Sequence, residues 1–150
     1  MVPFRWTVLM KRAAAAMAAR GEGRILNVAS VAAFMPGPHM AVYGATKAYL
    51  LSLSEAVSEE LKGTGVTVTA LCPGATRTSF FAAGGQQGSS RLSRGRMATA
   101  ADVAHAGWWG MKEGARVVVP GVGNKVASLA ARLAPRGMMS AVTARILRRD

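Results

Sequence analysis

The sequence predicts an α/β protein with a parallel sheet of about three strands, flanking helices and a basic helical segment at the C-terminus. Helical stretches and short apolar runs alternate along the chain, an order that is typical of parallel α/β packing. The 150 residues are 51% hydrophobic and have a mean hydropathy of +0.22, which excludes the composition of a disordered chain. A single domain at residues 1–150 is therefore expected.

The first predicted elements are a helix at residues 6–20 and a strand at residues 24–30. The helical segment is rich in Ala, Met and Leu, which favour helix, and glycines at 21 and 23 end it. The following residues form a short apolar run, which is typical of a strand buried on both faces of a parallel sheet. Asn27 in this strand is expected to tie it to neighbouring elements.

A longer helix and a second strand follow the Pro-Gly-Pro break at residues 36–38. Apolar side chains at intervals of three and four residues predict a helix from about residue 40 to residue 62; they are Leu50, Leu53, Val57 and Leu61. Glycines at 63 and 65 end this helix, and the β-branched run at residues 66–72 predicts the second strand.

A loop, a third helix and a third strand are predicted next. Residues 82–96 are rich in Gly, Ser and Gln and lack periodicity, which predicts a loop of functional length. Thr99 and Asp102 have the spacing of a capping box, which predicts a helix from there to Lys112. Its tryptophans, at 108 and 109, are expected to pack against the sheet, and the alternative is that one of them forms part of the substrate wall. The apolar run at residues 116–120 predicts the third strand.

Positive charge is concentrated in the second half of the chain, within a net charge of +12. Residues 1–75 hold seven basic and four acidic side chains, whereas residues 76–150 hold twelve and three. Such a charge favours nucleic acid, an anionic membrane surface or an anionic substrate, or it is a solvated face. Because no nucleic-acid recognition motif accompanies the charge, nucleic acid is not an expected partner.

Residues 123–150 are predicted to form a basic amphipathic helical tail of two short helices. Lys125 and Arg132 alternate there with apolar residues that recur at helical spacing. Two interpretations stay open at this point. The tail caps the core or a partner subunit with its basic face in solvent, or it binds an anionic membrane surface and receives a lipophilic or acyl substrate there.

Ser30, Tyr43 and Lys47 are the residues best suited to catalysis. Ser30 ends the first predicted strand, and the other two lie one helical turn apart, which places the ammonium beside the phenol. A free phenol loses its proton near pH ~10, about 4 kcal/mol from neutrality, and a Lys⁺ at ~4 Å supplies a stabilisation of that size. Such a phenol can exchange a proton with an oxygen that a serine hydroxyl holds. We therefore expect interconversion of an alcohol and a carbonyl, with hydride supplied by a nicotinamide cofactor.

Three motifs make the chain resemble the short-chain dehydrogenase/reductase family. They are Asn-Val-Ala-Ser at residues 27–30, Tyr-Gly-Ala-Thr-Lys at residues 43–47 and Pro-Gly-Ala-Thr-Arg-Thr at residues 73–78. Each falls on the expected element, and the similarity runs from about residue 6 to the end. The resemblance implies a partial Rossmann-like parallel sheet that corresponds to the C-terminal, catalytic half of such an enzyme.

The resemblance also implies a role for each matched residue. Tyr43 is the catalytic acid or base, Lys47 stabilises its phenolate and binds the nicotinamide ribose, and Ser30 orients the substrate oxygen. The family's contacts to the nicotinamide end of NAD or NADP match three residues, Pro73, Gly74 and Thr78. The loop at residues 82–96 corresponds to the lid over the substrate.

The chain departs from the family pattern at its start. The glycine-rich turn that cradles the cofactor pyrophosphate is absent from the sequence, and Val2 stands where the family has an asparagine. We expect either that the chain is truncated at the N-terminus or that it is a true half-enzyme, poorly stable alone. The alternative to an oxidoreductase is a non-catalytic fragment that acts only by subunit association or by binding a membrane surface.

Partners and location follow from the remaining features. The expected substrate is a small alcohol or carbonyl compound, and the resemblance implies a homo-oligomer through the helices at 6–20 and 40–62. His39 and His105 lack a second ligand at metal spacing, so no metal is expected. Since Cys72 is the single cysteine and no long uncharged apolar run exists, a cytoplasmic protein is expected, with peripheral membrane contact as the alternative.

Overall fold

The computed structural model describes residues 2–77 and 97–147, with side chains from residue 5 onward. Helices and strands alternate along most of the chain, which confirms the predicted α/β class. In chain order they are α1 (Val2–Arg20), β1 (Gly23–Val28), a 3-10 helix (Val31–Phe34), α2 (Ala41–Glu60), β2 (Val66–Leu71), β3 (Thr76–Arg77), β4 (Ala98–Thr99), α3 (Ala100–Lys112), β5 (Val117–Val118), α4 (Val122–Leu133) and α5 (Arg136–Leu147).

The main sheet is parallel and has the strand order β1-β2-β5. Consecutive residue pairs join β1 to β2, beginning with Gly23 opposite Val66. On the other edge of β2, Leu71 lies opposite Val118 of β5. The three predicted strands are thus present, and the predicted parallel sheet is confirmed. Within the described residues, β1 pairs with a strand along one edge only.

All three strands of the main sheet are shorter than the sequence predicts, the second by one residue because it ends at Leu71. The first was expected to continue to Ser30 but ends at Val28, because the Ser30 side chain caps the 3-10 helix that follows. The third was expected at residues 116–120 and spans two residues, Val117–Val118. A separate parallel pair, β3 with β4, sets Arg77 opposite Thr99 and so brings together the chain on either side of residues 78–96.

Helices cover both faces of the main sheet. The side chain of Asn27 points toward α1 and α2, where its Nδ2 donates hydrogen bonds to Met10 Sδ at 3.1 Å and Ser54 Oγ at 2.9 Å. The neighbouring Leu26 faces Gly107 of α3. Because successive side chains of a strand point to opposite faces, α1 and α2 lie on one face and α3 on the other. The predicted tying role of Asn27 agrees with these contacts.

α3 begins at the predicted capping box and packs very closely on the sheet. Thr99 Oγ1 accepts the N–H of Asp102 at 3.1 Å, and the Asp102 carboxylate accepts the N–H of Thr99 at 3.4 Å. A Cβ atom at Gly107 would lie 2.6 Å from Leu71 Cδ2, and one at Gly110 would overlap the Val118 side chain. A larger residue at either position would therefore have to displace the Leu71 or Val118 side chain.

The C-terminal helices pack on the body with small side chains. Ser128 and Ala131 are the buried residues of α4, and in α5 the buried Thr143 donates a hydrogen bond to the Pro36 carbonyl at 2.6 Å. The large aliphatic residues of α4 face solvent. The tail therefore packs on the body, as one of the two interpretations expects, but through small side chains and not through the large aliphatic residues of α4. No helix in the described stretches has both the length and the apolar character required to cross a bilayer.

Candidate active site

Ser30 is held between the end of β1 and the 3-10 helix. Its backbone is extended (φ −171°, ψ 159°), and its Oγ accepts the N–H of Ala32 at 3.2 Å. The N–H of the next residue, Val31, donates to the Pro73 carbonyl at 3.0 Å and so ties this turn to the end of β2. The serine is 7% exposed, and its hydroxyl can donate a hydrogen bond to an oxygen bound at the carboxyl end of β1.

Tyr43 and Lys47 lie one turn apart on α2, both half-buried. The Lys47 ammonium is 5.8 Å from the centroid of the Tyr43 ring, inside the distance of about 6 Å at which a cation is attracted to an aromatic face. Lys47 Nζ also reaches β1, where it donates a hydrogen bond to the Val28 carbonyl at 2.7 Å.

The contact between Lys47 and Val28 brings the three predicted catalytic residues to one end of the sheet. Val28 precedes Ser30 by two residues, so the ammonium is anchored beside the strand end that carries the serine. The structure thus joins the tyrosine and lysine on α2 to the serine after β1. Ligands of α/β proteins bind at the carboxyl ends of parallel strands, so a substrate bound at this end of the sheet would lie beside these residues.

Burial changes the proton affinities of two neighbouring groups. It lowers the pKa of Lys47 below its ordinary value of 10.5, and the thiolate form of Cys72 opposes this effect. Burial also raises the pKa of Cys72 to about 11. Cys72 is fully buried and packs in the hydrophobic core with Ala29, Leu51 and Ala70.

Pro73 and Gly74 form the turn after β2, and α4 packs directly on this turn. A Cβ atom at Gly74 would overlap the side chain of Asn124, so only glycine fits. Asn124 is held in place because its Nδ2 donates to the Pro120 carbonyl at 2.7 Å. The sequence pattern does not identify Asn124, since the contact joins distant segments and a single asparagine in a helix belongs to no motif.

Two further predictions fall outside the part of the chain that the structure describes. Thr78, the third predicted contact to the cofactor, is one, and the lid at residues 82–96 is the other. The described residues that flank this segment, Arg77 and Met97, both line a cavity of about 1310 Å³. The cavity opens beyond β5, next to the turn that carries Gly121, and Ser30, Tyr43 and Lys47 do not line it.

The two tryptophans of α3 do not pack against the sheet as expected. Trp108 and Trp109 are 55% and 53% exposed, because Gly107 and Gly110 occupy the face of α3 that contacts the strands. Trp109 instead lines the cavity and donates its Nε1 hydrogen to His105 Nε2 at 2.8 Å. Its side chain is therefore available to a ligand in that cavity.

Tyr43 and Lys47 of α2, beside the carboxyl end of β1, suit the ribose end of a nicotinamide dinucleotide. An ammonium beside a phenol, at the carboxyl end of a parallel strand, offers donors for the ribose hydroxyls of such a cofactor. The sequence has no glycine-rich turn for its pyrophosphate. Across residues 2–77 and 97–147, no three His, Cys, Asp or Glu side chains cluster in a way that could hold a metal ion.

The sequence matches a known family model and curated relatives. Residues 6–88 match the family model described as short chain dehydrogenase. The sulfoacetaldehyde reductase of Chromohalobacter salexigens is 45% identical over 89 residues, which are 56% of this chain and 35% of the reductase. The chain therefore spans about a third of the length of that relative.

Two solved structures have the same fold over most of the chain. A short chain dehydrogenase from Burkholderia cenocepacia in complex with NADP superposes with a TM-score of 0.73 at 25% identity, covering 98% of this chain and 58% of that one. A short-chain dehydrogenase from Sphingobium yanoikuyae in complex with NADPH gives 0.66 at 31% identity, covering 85% and 48%. Together with the family model, which matches more than half of the chain, these similarities show that the chain belongs to the short-chain dehydrogenase family.

Proposed function

We propose that this chain carries the catalytic half of an NAD(P)-dependent oxidoreductase that interconverts an alcohol and a carbonyl. The observation that carries the proposal is the anchoring of Lys47 to the Val28 carbonyl, 2.7 Å away, with its ammonium beside Tyr43 and next to the strand end at Ser30. A phenol, an ammonium and a hydroxyl at one strand end form a proton-transfer site for an oxygen. Membership of the short-chain dehydrogenase family supports the same reaction class.

Each of the three residues has its own task in the proposed reaction. Tyr43 donates its phenolic proton to the carbonyl oxygen during reduction and takes it back during oxidation. Lys47 stabilises the phenolate and holds the nicotinamide ribose. Ser30 donates its hydroxyl hydrogen to the substrate oxygen and fixes its position.

The proposed cofactor is NAD or NADP, and the hydride comes from its nicotinamide when it is bound. Lys47 and Tyr43 hold the ribose, with the turn at Pro73 and Gly74 beside them and Thr78 as the third proposed contact after that turn. The relatives bound to NADP and NADPH support a nicotinamide cofactor in general. We propose that the pyrophosphate site is supplied from outside residues 1–150, as in a chain truncated at its N-terminus.

The proposed substrate is a small molecule with an alcohol or carbonyl group. A relative named as a sulfoacetaldehyde reductase acts on a compound of this class. A homo-oligomer through α1 and α2 is also proposed, and the exposed Trp6 and Leu9 on α1 support a contact surface there. Cytoplasmic localisation stays a prediction, supported by the free, buried thiol of Cys72.

The alternative function is a non-catalytic fragment that acts only by association, and one experiment separates the two. The protein at its native length is titrated with NADH and with NADPH while cofactor fluorescence is recorded, and cofactor oxidation is then followed with a panel of small aldehydes and ketones. The proposal predicts saturable binding of one cofactor and its oxidation in the presence of a carbonyl compound. If the protein neither binds a cofactor nor oxidises it, the result favours the non-catalytic fragment that acts by association.

A further inference from the structure

The outer face of α4 carries an apolar stripe, which we define as Val122, Val126, Leu129 and Leu133. These side chains are 78%, 63%, 59% and 78% exposed, respectively. Their spacing of three and four residues places them along one side of the helix. Large aliphatic residues scattered singly on a surface are ordinary, whereas four in a row along one helix mark an interaction surface.

The packing of α4 shows that the helix contacts the body through the side opposite to the stripe. The helix already has its contact with the body through the opposite side, where Ser128 and Ala131 are buried and Asn124 presses on Gly74. Turning the stripe inward would expose these groups and put bulky side chains against the turn after β2. The next helix, α5, also leaves apolar side chains exposed, namely Met138, Val142 and Ile146.

The charged side chains of α4 and α5 are all positive. Lys125 lies one turn before Leu129 and Arg132 lies three residues after it, so both flank the stripe. Arg136 and Arg145 follow in α5, and residues 122–147 contain neither Asp nor Glu. Arg132 is partly engaged with the body, since it contacts Glu55 at 3.4 Å and lies 5.0 Å from the centroid of the Phe34 ring.

We propose that α4 docks the protein on an anionic bilayer surface, with the apolar stripe at the boundary between acyl chains and headgroups. A helix with one aliphatic side and flanking cations has the form of an interfacial amphipathic helix. The cations would meet lipid phosphates, and their aliphatic stems can extend along the membrane boundary. A second copy of the chain fits less well, because pairing two identical stripes brings the Lys125 and Arg132 cations of the two copies together without an acidic partner in either tail.

Vesicle flotation tests the proposal on the protein at its native length, because aggregated protein does not float. Vesicles of phosphatidylcholine alone are compared with vesicles that also contain phosphatidylglycerol, at low and high salt. The stripe variant is Leu129→Ser with Leu133→Ser, and its matched control is Val42→Ser, which removes an exposed aliphatic side chain from α2 (82% exposed). Lys125→Gln and Arg136→Gln test the charges.

The proposal predicts flotation with the anionic vesicles only, weakened by salt. The stripe variant should lose binding at least tenfold while Val42→Ser binds normally, and each charge variant should weaken binding about fivefold. Absence of flotation, or equal flotation of the stripe variant, would overturn the proposal. A dimer that the stripe variant converts to a monomer, with no vesicle binding, would show that a second copy covers the stripe.

A site-specific probe keeps the test valid if the double variant folds poorly. Cys72 is fully buried and its pKa is raised to about 11, so a cysteine introduced at Val126 can be labelled selectively with a polarity-sensitive dye. Anionic vesicles should shift the emission of the dye at residue 126 to the blue. The same dye on Val42→Cys should not respond, and a probe at residue 126 that also fails to respond would contradict docking through α4.

Discussion

Lys47 is the residue that connects the two structural elements of the proposed site. Its ammonium has three hydrogen-bond donors, and one of them is used by the Val28 carbonyl. Two donors therefore remain for a ribose hydroxyl or for the phenolate of Tyr43. The lysine is also half-buried, and the loss of water around its ammonium lowers its pKa.

This lowered pKa leads to a prediction about stability and pH. Because the folded-state pKa of Lys47 lies below the unfolded value of 10.5, the unfolded chain binds more protons between the two values. The cost of burying the ammonium is fully present below the folded pKa and disappears as pH rises toward 10.5. The free energy of unfolding of the wild type relative to Lys47→Met should therefore increase with pH in this alkaline range. Urea unfolding at a series of pH values measures it, and a difference that does not change with pH would contradict the burial effect.

The proposed catalytic residues were found in the sequence because their signal is local. Tyr43 and Lys47 are one helical turn apart, so spacing alone places these two near each other, and Ser30 was chosen because it ends an apolar run. Asn124 could not be predicted, since its contact with Gly74 depends on how α4 returns to the turn after β2. The contact of Lys47 with Val28 was missed for the same reason, because the carbonyl that it binds belongs to a different element.

At the scale of elements, α3 packs closely on the sheet because glycines occupy the side of the helix that faces the strands. Gly107 and Gly110 place its backbone against Leu71 and Val118. Because these glycines occupy the side that faces the strands, the tryptophans between them point toward solvent. The capping box at Thr99 was visible in the sequence, because it depends on residues three apart. The outward direction of the tryptophans was not, because hydrophobicity alone predicts burial for any tryptophan on an amphipathic helix.

A pair of glycine substitutions tests this close packing. Gly107→Ala should lower the free energy of unfolding by about 1–3 kcal/mol, because the new methyl group would lie 2.6 Å from Leu71 Cδ2 and force this buried side chain to repack. Gly123→Ala in α4 is the matched control, since no atom lies within 4 Å of the added Cβ. The control should be neutral or stabilising by up to about 1 kcal/mol, because alanine favours helix. Chemical denaturation of both variants measures the difference, and equal effects would contradict the packing described for α3.

At the scale of the whole molecule, the main sheet has two edge strands, β1 and β5, and within the described residues neither is paired on its outer side. β1 pairs with β2 on one side only, and Val28 at its end is 51% exposed. Parallel sheets are normally buried, so an open edge of this kind is prone to pair with other chains. The alternation of helices and strands predicted the sheet, whereas the outward direction of the α4 stripe could not be predicted, since periodicity gives a stripe but not the side it faces.

The open edge predicts the behaviour of residues 1–150 in isolation. We expect this chain alone to be poorly stable or to aggregate, because the backbone groups along β1 are available to other strands. Light scattering after size exclusion, together with a thermal melt, measures this. A monomer with a cooperative melting transition would contradict the prediction.

The central claim is that Tyr43 transfers the proton in a nicotinamide-dependent reaction, and a pair of tyrosine variants tests it directly. In Tyr43→Phe the phenolic proton is lost, and in Tyr49→Phe an equivalent hydroxyl on the same helix, bonded to Thr7, is lost. With a carbonyl substrate and reduced cofactor, the account predicts that Tyr43→Phe lowers kcat by about 10²–10⁴-fold, whereas Tyr49→Phe retains most of the wild-type rate. Undiminished turnover in Tyr43→Phe would contradict the account.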